Sequence, residues 1–246
     1  MTIEQQILAH AQAVAPAECC GLVIATARGD IYQPLINDST TPDTFDIDPA
    51  HWIAAEAQGE IIAVVHSHPE GPAVLSTADR TAQRGTAVPW WLVVNGELHK
   101  FRNVPPLLAR QFEHGTTDCL TLILDAYHLC GLELGDYARA DDWWDTEQDL
   151  YLEHLPSAGF EQLGPVAPPQ LGDIVLVCLG GTKACHGALY LGDGYLLHHP
   201  INRLSKRDLY SGYWQRQTHS IWRHKAWQQC DFTAIFADLA ASSFSM

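Results

Sequence analysis

Two adjacent prolines, Pro105 and Pro106, interrupt the chain and constrain its fold more than any other feature. Proline fixes its own φ, lacks an amide hydrogen and disfavours helical backbone at the residue before it. Neither a helix nor a strand can therefore run through the sequence Asn-Val-Pro-Pro at 103–106. We place a domain boundary there, between residues 1–103 and 104–246. The length of 246 residues suits two domains of ordinary size.

Both predicted domains combine helices with strands. In the first, apolar residues at helical spacing predict a helix over 2–14, and Asn95-Gly96 is a strong hairpin signal. In the second, a helix predicted over 118–130 precedes a series of strand-like segments. The sequence therefore predicts an α+β fold for both. We expect a mixed sheet with flanking helices first, and a helix with an antiparallel sheet second.

The charge balance excludes some partners. Lys and Arg total 14 against 29 Asp and Glu, a net charge of −15. Nucleic acids and anionic lipid surfaces both attract basic faces, so we expect neither as a partner. No apolar run approaches the 18 residues of a membrane span, and residues 1–15 lack the basic start of a secretory signal.

The seven cysteines indicate the compartment. Their number is odd, Cys19 and Cys20 are adjacent, and the other five are scattered, which is not a disulfide framework. We expect free thiols and a reducing compartment, the cytosol of the cell that makes the protein.

The segment His-Ser-His at 66–68 predicts a metal site. Side chains at i and i+2 at a strand end project to the same side, so both imidazoles can reach one ion. Asp79, in the first turn of the next predicted helix, can add a carboxylate oxygen. Ligands His66, His68 and Asp79 would leave the fourth position of a zinc ion to water, as in catalytic zinc sites that activate this water near neutral pH. Glu18 is the candidate general base.

Ser76 and Asp79 also have a structural interpretation, because Ser-x-x-Asp matches a helix capping box. The full pattern nevertheless resembles the JAMM (JAB/MPN) metalloprotease signature: a Glu, then His-x-His-Pro, then Ser and Asp ten and thirteen residues after the first His. This resemblance implies an MPN-like fold that cleaves peptide or isopeptide bonds. It implies roles for five residues: zinc ligands His66, His68 and Asp79, general base Glu18, and oxyanion stabiliser Ser76.

Cys119 predicts a second site, because it follows Asp118 where a helix should begin. A thiol at a helix N-terminus lies at the positive end of the helix dipole, which favours the thiolate. His186 opens one predicted strand, and His198 lies near the end of the next. A cysteine, a histidine base and a third polar group that orients the base are the groups of nucleophilic catalysis.

The hairpin between these strands decides which histidine orients His186. A three-residue loop at 192–194 places His198 on the face of His186, and a two-residue loop places His199 there. Turn chemistry favours the shorter loop.

The second half of the chain resembles the papain-like NlpC-type cysteine peptidases, in which Asp-Cys begins a helix and a polar residue follows the catalytic His by twelve positions. The resemblance implies Cys119 as the nucleophile, His186 as the base and His198 as the third residue. Leu120-Thr121 replaces the usual Ser-Gly, a change that can narrow the substrate pocket or alter the approach of the backbone.

The order of the two domains resembles tail assembly proteins of lambda-like bacteriophages. That resemblance implies a phage or prophage protein made in the host cytoplasm, with other tail-tip proteins as partners and a peptide or peptidoglycan substrate. Two alternatives stay open. One is a peptidoglycan endopeptidase that is carried in the virion tail tip and uses only the cysteine site. The other is a non-enzymatic assembly scaffold.

Overall fold

The computed structural model describes residues 1–41 and 44–243. The chain divides into two compact units, Met1–Val104 and Pro105–Met246. The last three residues of the second unit lie outside the described part. Each unit has a sheet of its own with helices, so the predicted α+β fold class is confirmed. Within the described ranges, no helix has the length and apolar character needed to cross a membrane.

The first unit is built on a five-stranded mixed sheet in the order β2-β1-β3-β4-β5, in which β3 and β4 run parallel. Helix α1 packs Ile7 and Ala11 into a core with Val23 and Val65. The elements are α1 (Ile3–Val14), β1 (Cys20–Thr26), β2 (Gly29–Leu35), α2 (Pro49–Glu56), β3 (Glu60–Ser67), α3 (Thr77–Thr86), β4 (Trp90–Val94) and β5 (Glu97–Phe101).

Strand β3 lies at the centre of that sheet and carries His66. The residue pairs with Cys20 of β1 on one side and with Leu92 of β4 on the other. Two hydrogen-bonded neighbours and full burial hold the His66 backbone in place.

The second unit has a six-stranded antiparallel sheet in the order β10-β9-β8-β7-β11-β6. Helix α4 packs against β8, and all of its residues after Cys119 are buried. The elements are α4 (Cys119–Leu129), α5 (Leu150–His154), β6 (Phe160–Gln162), β7 (Ile174–Val177), β8 (His186–Gly192), β9 (Tyr195–His198), β10 (Lys206–Leu209), α6 (Tyr213–Arg216), β11 (Thr218–His224) and α7 (Thr233–Ser243).

The hairpin between β8 and β9 combines the two expected geometries. Gly192 pairs with Tyr195 across a two-residue turn, but a register shift between Tyr190 and Gly192 follows. Beyond the shift, Ala188 pairs with His198. The shorter turn therefore forms, yet the bulge restores the register that the longer loop would have produced, and His198 lies on the face of His186.

Candidate active sites

Three donor groups meet at the end of β3 and the start of α3. His66 Nε2 lies 3.3 Å from His68 Nε2 and 3.4 Å from Asp79 Oδ1. The second carboxylate oxygen, Asp79 Oδ2, lies 3.3 Å from His68 Nε2. All three ligand atoms fall within 4.8 Å of one another, so one metal ion can reach them together.

Hydrogen bonds around these donors leave the correct atoms free for a metal. His68 Nδ1 lies 3.1 Å from the carbonyl oxygen of Pro72 and donates to it, so Nε2 is the ring nitrogen that faces Asp79 and would bind a metal. Burial opposes ionisation of Asp79, but hydrogen bonds from His66 and His68 outweigh it and hold the pKa of this carboxyl well below its usual range. Burial lowers the pKa of His66. The site thus combines two imidazoles with a carboxylate.

Ser76 and Asp79 also form the capping box of α3. Ser76 Oγ accepts a hydrogen bond from the Asp79 backbone amide at 3.1 Å, and Asp79 Oδ2 accepts one from the Ser76 amide at 2.8 Å. Asp79 can therefore cap α3 and bind a metal ion at the same time. The cap fixes the carboxylate where both imidazoles reach it.

Glu18 and Ser76 share a cavity of about 700 Å³ with His68 and Asp79. The Glu18 side chain is buried. Burial lowers the pKa of His68, but Asp79, the Pro72 carbonyl and, least of these, the charge of Glu18 together raise it above its usual value. The aromatic ring of Phe45 stacks on His66 at a centroid distance of 5.0 Å. One cavity thus brings together four of the five residues singled out in this half of the sequence. The fifth, His66, is fully buried and contacts His68 and Asp79.

Cys119 lies in the second unit, at the first position of α4. Asp118 caps the helix: its Oδ1 accepts hydrogen bonds from the amides of Leu120 and Thr121, both at 3.0 Å. Its Oδ2 pairs with Arg139, whose Nη2 is 2.8 Å away. The Cys119 sulfur lies 3.1 Å from the hydroxyl of Tyr151.

The expectation of a Cys119 thiolate is wrong. Burial raises the pKa of this thiol, and the negative charge of Asp118 raises it further. A hydrogen bond from Tyr151, the backbone amide of Gly187 and the charge of Arg139 lower it by less. Cys119 is the first residue of α4, as predicted, but burial and the adjacent Asp118 carboxylate favour the neutral thiol.

His186 and His198 are joined directly, with 3.0 Å between Nε2 of His186 and Nδ1 of His198. The chain of contacts continues, since His198 Nε2 lies 3.2 Å from Asp208 Oδ2 and Lys206 Nζ lies 2.8 Å from the same oxygen. Burial lowers the pKa of His186 to about 3 and that of His198 to about 4. His199 lines the same cavity as Cys119 and His186, but its ring packs edge-on against Phe112, with 5.4 Å between ring centroids, and His198 is the histidine joined to His186.

Cys119 and His186 line one cavity of about 210 Å³. Most of its remaining wall is aromatic or aliphatic, including Tyr137, Trp143 and Trp144. The sequence interpretation missed Tyr151, Arg139 and Asp208. Neither a motif nor a spacing points to them, because each reaches the site through tertiary packing.

Two protein families match this chain, one in each of its compact units. Residues 2–104 match the family described as prokaryotic homologs of the JAB domain, and residues 109–223 match the NlpC/P60 family. The chain therefore joins a JAB-type domain to an NlpC/P60-type domain.

Two phage proteins are similar to most of this chain. The chain is 53% identical over 197 residues to the tail tip assembly protein K of Escherichia phage lambda, covering 80% of this chain and 98% of the relative. It is 36% identical over 227 residues to the protein of the same name from Escherichia phage N15, covering 89% and 93%. The chain belongs to the family of these phage tail tip assembly proteins, which confirms the resemblance drawn from the motifs.

Among solved structures, an NlpC/P60 family protein from Bacillus cereus ATCC 10987 is similar over 89% of this chain and 66% of that one. Its identity is 10% and the TM-score is 0.35, which is too low to carry an argument.

Proposed function

We propose that this chain acts in assembling a bacteriophage tail tip and hydrolyses peptide bonds at two separate sites, one in each compact unit. Its family relationship supports the assembly role, with other tail-tip proteins as partners in the host cytoplasm. The seven free thiols suit that compartment. The observation that carries the peptidase proposal is that each unit gathers a set of hydrolytic groups around one cavity.

Zinc is the metal that fits the first site best. Ligands about 2.0 to 2.1 Å from a tetrahedral zinc ion lie about 3.3 Å from one another. The two imidazole nitrogens of His66 and His68 are 3.3 Å apart, and each lies 3.3 to 3.4 Å from one of the two oxygens of Asp79. Two imidazoles and one carboxylate also match the ligand set of catalytic zinc rather than the closed set of structural zinc.

The residues around that ligand set supply the rest of the chemistry. Zinc, when bound, supplies a Lewis acid that polarises a carbonyl group and acidifies water. Glu18, in the same cavity, would accept the proton of the attacking water and deliver it to the leaving amine. Ser76 Oγ accepts a hydrogen bond from the Asp79 backbone amide. The hydroxyl hydrogen of Ser76 therefore stays available to donate to a developing oxyanion.

Cys119 would act as a nucleophile in the second site. Its sulfur attacks the carbonyl carbon of a peptide amide while His186 takes the thiol proton, and His186 then returns that proton to the leaving amine. Water completes the cycle by hydrolysing the thioester. Because burial keeps both groups neutral at rest, proton transfer accompanies the attack, and the Tyr151 hydroxyl stabilises negative charge on sulfur as it develops. The substrate would be a peptide amide of a tail protein or of peptidoglycan.

Metal analysis and thiol labelling of the purified full-length chain test this proposal. We expect stoichiometric zinc in the wild type and its loss in His68→Ala. His99→Ala is the matched control, because His99 lies on β5 of the same unit, outside the donor set. Absence of zinc together with an unreactive Cys119 would contradict the proposal and favour the assembly scaffold.

A further inference from the structure

We propose that Asp208 is a positioning residue of the cysteine site, which sets the proton positions on His198 and, through it, on His186. The inference rests on the proposed role of Cys119 and His186 in peptide hydrolysis. Asp208 lies on the edge strand β10, opposite Leu196 of β9, and its carboxylate reaches back to the ring of His198. The three side chains form one line, from Asp208 through His198 to His186.

Both imidazoles in this line are neutral near pH 7. They are buried, and burial lowers the pKa of His186 to about 3 and of His198 to about 4. Each ring therefore carries a single proton, on either Nδ1 or Nε2. A hydrogen bond between two such rings forms only when one nitrogen carries its proton and the other does not.

Asp208 resolves this choice because an ionised carboxylate can only accept hydrogen bonds. Burial opposes its ionisation, but Lys206 and His198 outweigh that effect and lower the pKa of the Asp208 carboxyl. His198 must then carry its proton on Nε2, facing Asp208, and its Nδ1 must accept. The acceptor at Nδ1 requires the proton of His186 to be on Nε2, 3.0 Å away.

The consequence for catalysis concerns the other nitrogen of His186. With the proton on Nε2, Nδ1 keeps its electron pair and is the atom able to take a proton from Cys119, which lines the same cavity. Without Asp208, His198 can adopt the opposite tautomer and donate to His186 Nε2. The proton of His186 then moves to Nδ1, and the ring can no longer act as a base toward the cavity.

Asparagine at position 198 would remove the need for Asp208. The Oδ1 atom of asparagine stands at the same position along the side chain as Nδ1 of histidine, and it is always an acceptor. His198→Asn therefore offers His186 an acceptor whose character does not depend on a neighbouring carboxylate. The position of the His186 proton should thus depend on Asp208 when residue 198 is histidine, and should not depend on it when residue 198 is asparagine.

The test compares full-length wild type, Asp208→Ala, His198→Asn and the double variant. One readout is the rate at which iodoacetamide alkylates Cys119, resolved by peptide mass spectrometry. The other is the ¹⁵N spectrum of histidine-labelled protein, which reports the His186 tautomer. Asp208→Glu keeps a carboxylate and serves as the conservative rescue. Glu161→Ala is the matched control, because Glu161 lies on β6, the opposite edge strand of the sheet, and pairs with Lys225 at 3.7 Å.

We expect Asp208→Ala to slow alkylation by about tenfold or more, because a positioned general base contributes about 10²–10⁴-fold, and to shift the His186 proton to Nδ1. We expect Asp208→Glu to restore both readouts and the double variant to match His198→Asn. Unchanged readouts in Asp208→Ala, or an equal loss on the asparagine background, would overturn the proposal. Both readouts work without a substrate, so a failure of the peptidase proposal would be visible separately as a lack of hydrolysis with an intact Asp208 dependence.

Discussion

Tyr151→Phe removes one oxygen atom from the cysteine site and little else. The Tyr151 ring is buried, and its hydroxyl lies 3.1 Å from the Cys119 sulfur. Phenylalanine keeps the ring packing, but it cannot donate a hydrogen bond to the thiolate. Such a bond to a charged group contributes about 1.5–3 kcal/mol, so its loss lowers the thiolate population roughly ten- to a hundredfold. The variant should therefore raise the pKa of Cys119 above its already raised level.

The pH dependence of Cys119 alkylation by iodoacetamide measures this change. Peptide mass spectrometry is needed because the chain has seven cysteines. Tyr127→Phe is the matched control, since its hydroxyl is also buried and donates to the Gly172 carbonyl at 2.7 Å. We expect slower alkylation at neutral pH only for Tyr151→Phe. An unchanged pH profile in that variant, or an equal change in the control, would refute the assigned role of Tyr151.

Three further predictions follow from the same contacts. Asp118→Ala should reduce the free energy of unfolding of the second unit by about 2–4 kcal/mol, because α4 loses its N-cap and Arg139 keeps only Asp136 of its two carboxylate partners; a loss in urea unfolding no larger than that of an exposed-pair variant such as Glu161→Ala would contradict this. The pKa values of His186 and His198 fall from 6.5 in the unfolded chain to about 3 and about 4 on folding. Between these pH values the unfolded chain binds more protons than the folded chain, so the free energy of unfolding should decrease as the pH falls from about 6.5 toward 4. In His198→Asn the free energy of unfolding should depend less on pH over the same range. Metal chelation should lower the melting temperature of the first unit and leave Cys119 alkylation unchanged, whereas a parallel change in both would show that the sites are not independent.

Local patterns were enough to predict the elements that support the sites. The helical spacing of apolar residues over 2–14 predicts α1, observed at Ile3–Val14, because one amphipathic face suffices to specify it. The hairpin at 192–194 was harder. Its turn follows local chemistry, but the register shift after Tyr190 depends on how the whole strand packs, and only that shift places His198 opposite Ala188.

The chemistry of the cysteine site was less predictable than its residues. A helix start is visible in sequence, so the dipole at Cys119 could be anticipated, but the burial that raises its pKa could not. Tyr151 and Asp208 were missed for a related reason. Tyr151 lies on a short separate helix, and Asp208 lies on an edge strand whose pairing with β9 no local pattern specifies. Both reach the site only because the second unit folds.

Site-dependent cleavage during tail-tip assembly tests the central claim most directly. The full-length chain would be co-expressed with the other tail-tip proteins as wild type, His66→Ala, Cys119→Ala and the double variant, and intact masses of all components would be measured. We predict cleavage products in the wild type, the loss of a different product in each single variant and no cleavage in the double variant. An identical set of masses in all four would contradict the claim that this chain carries two peptidase sites.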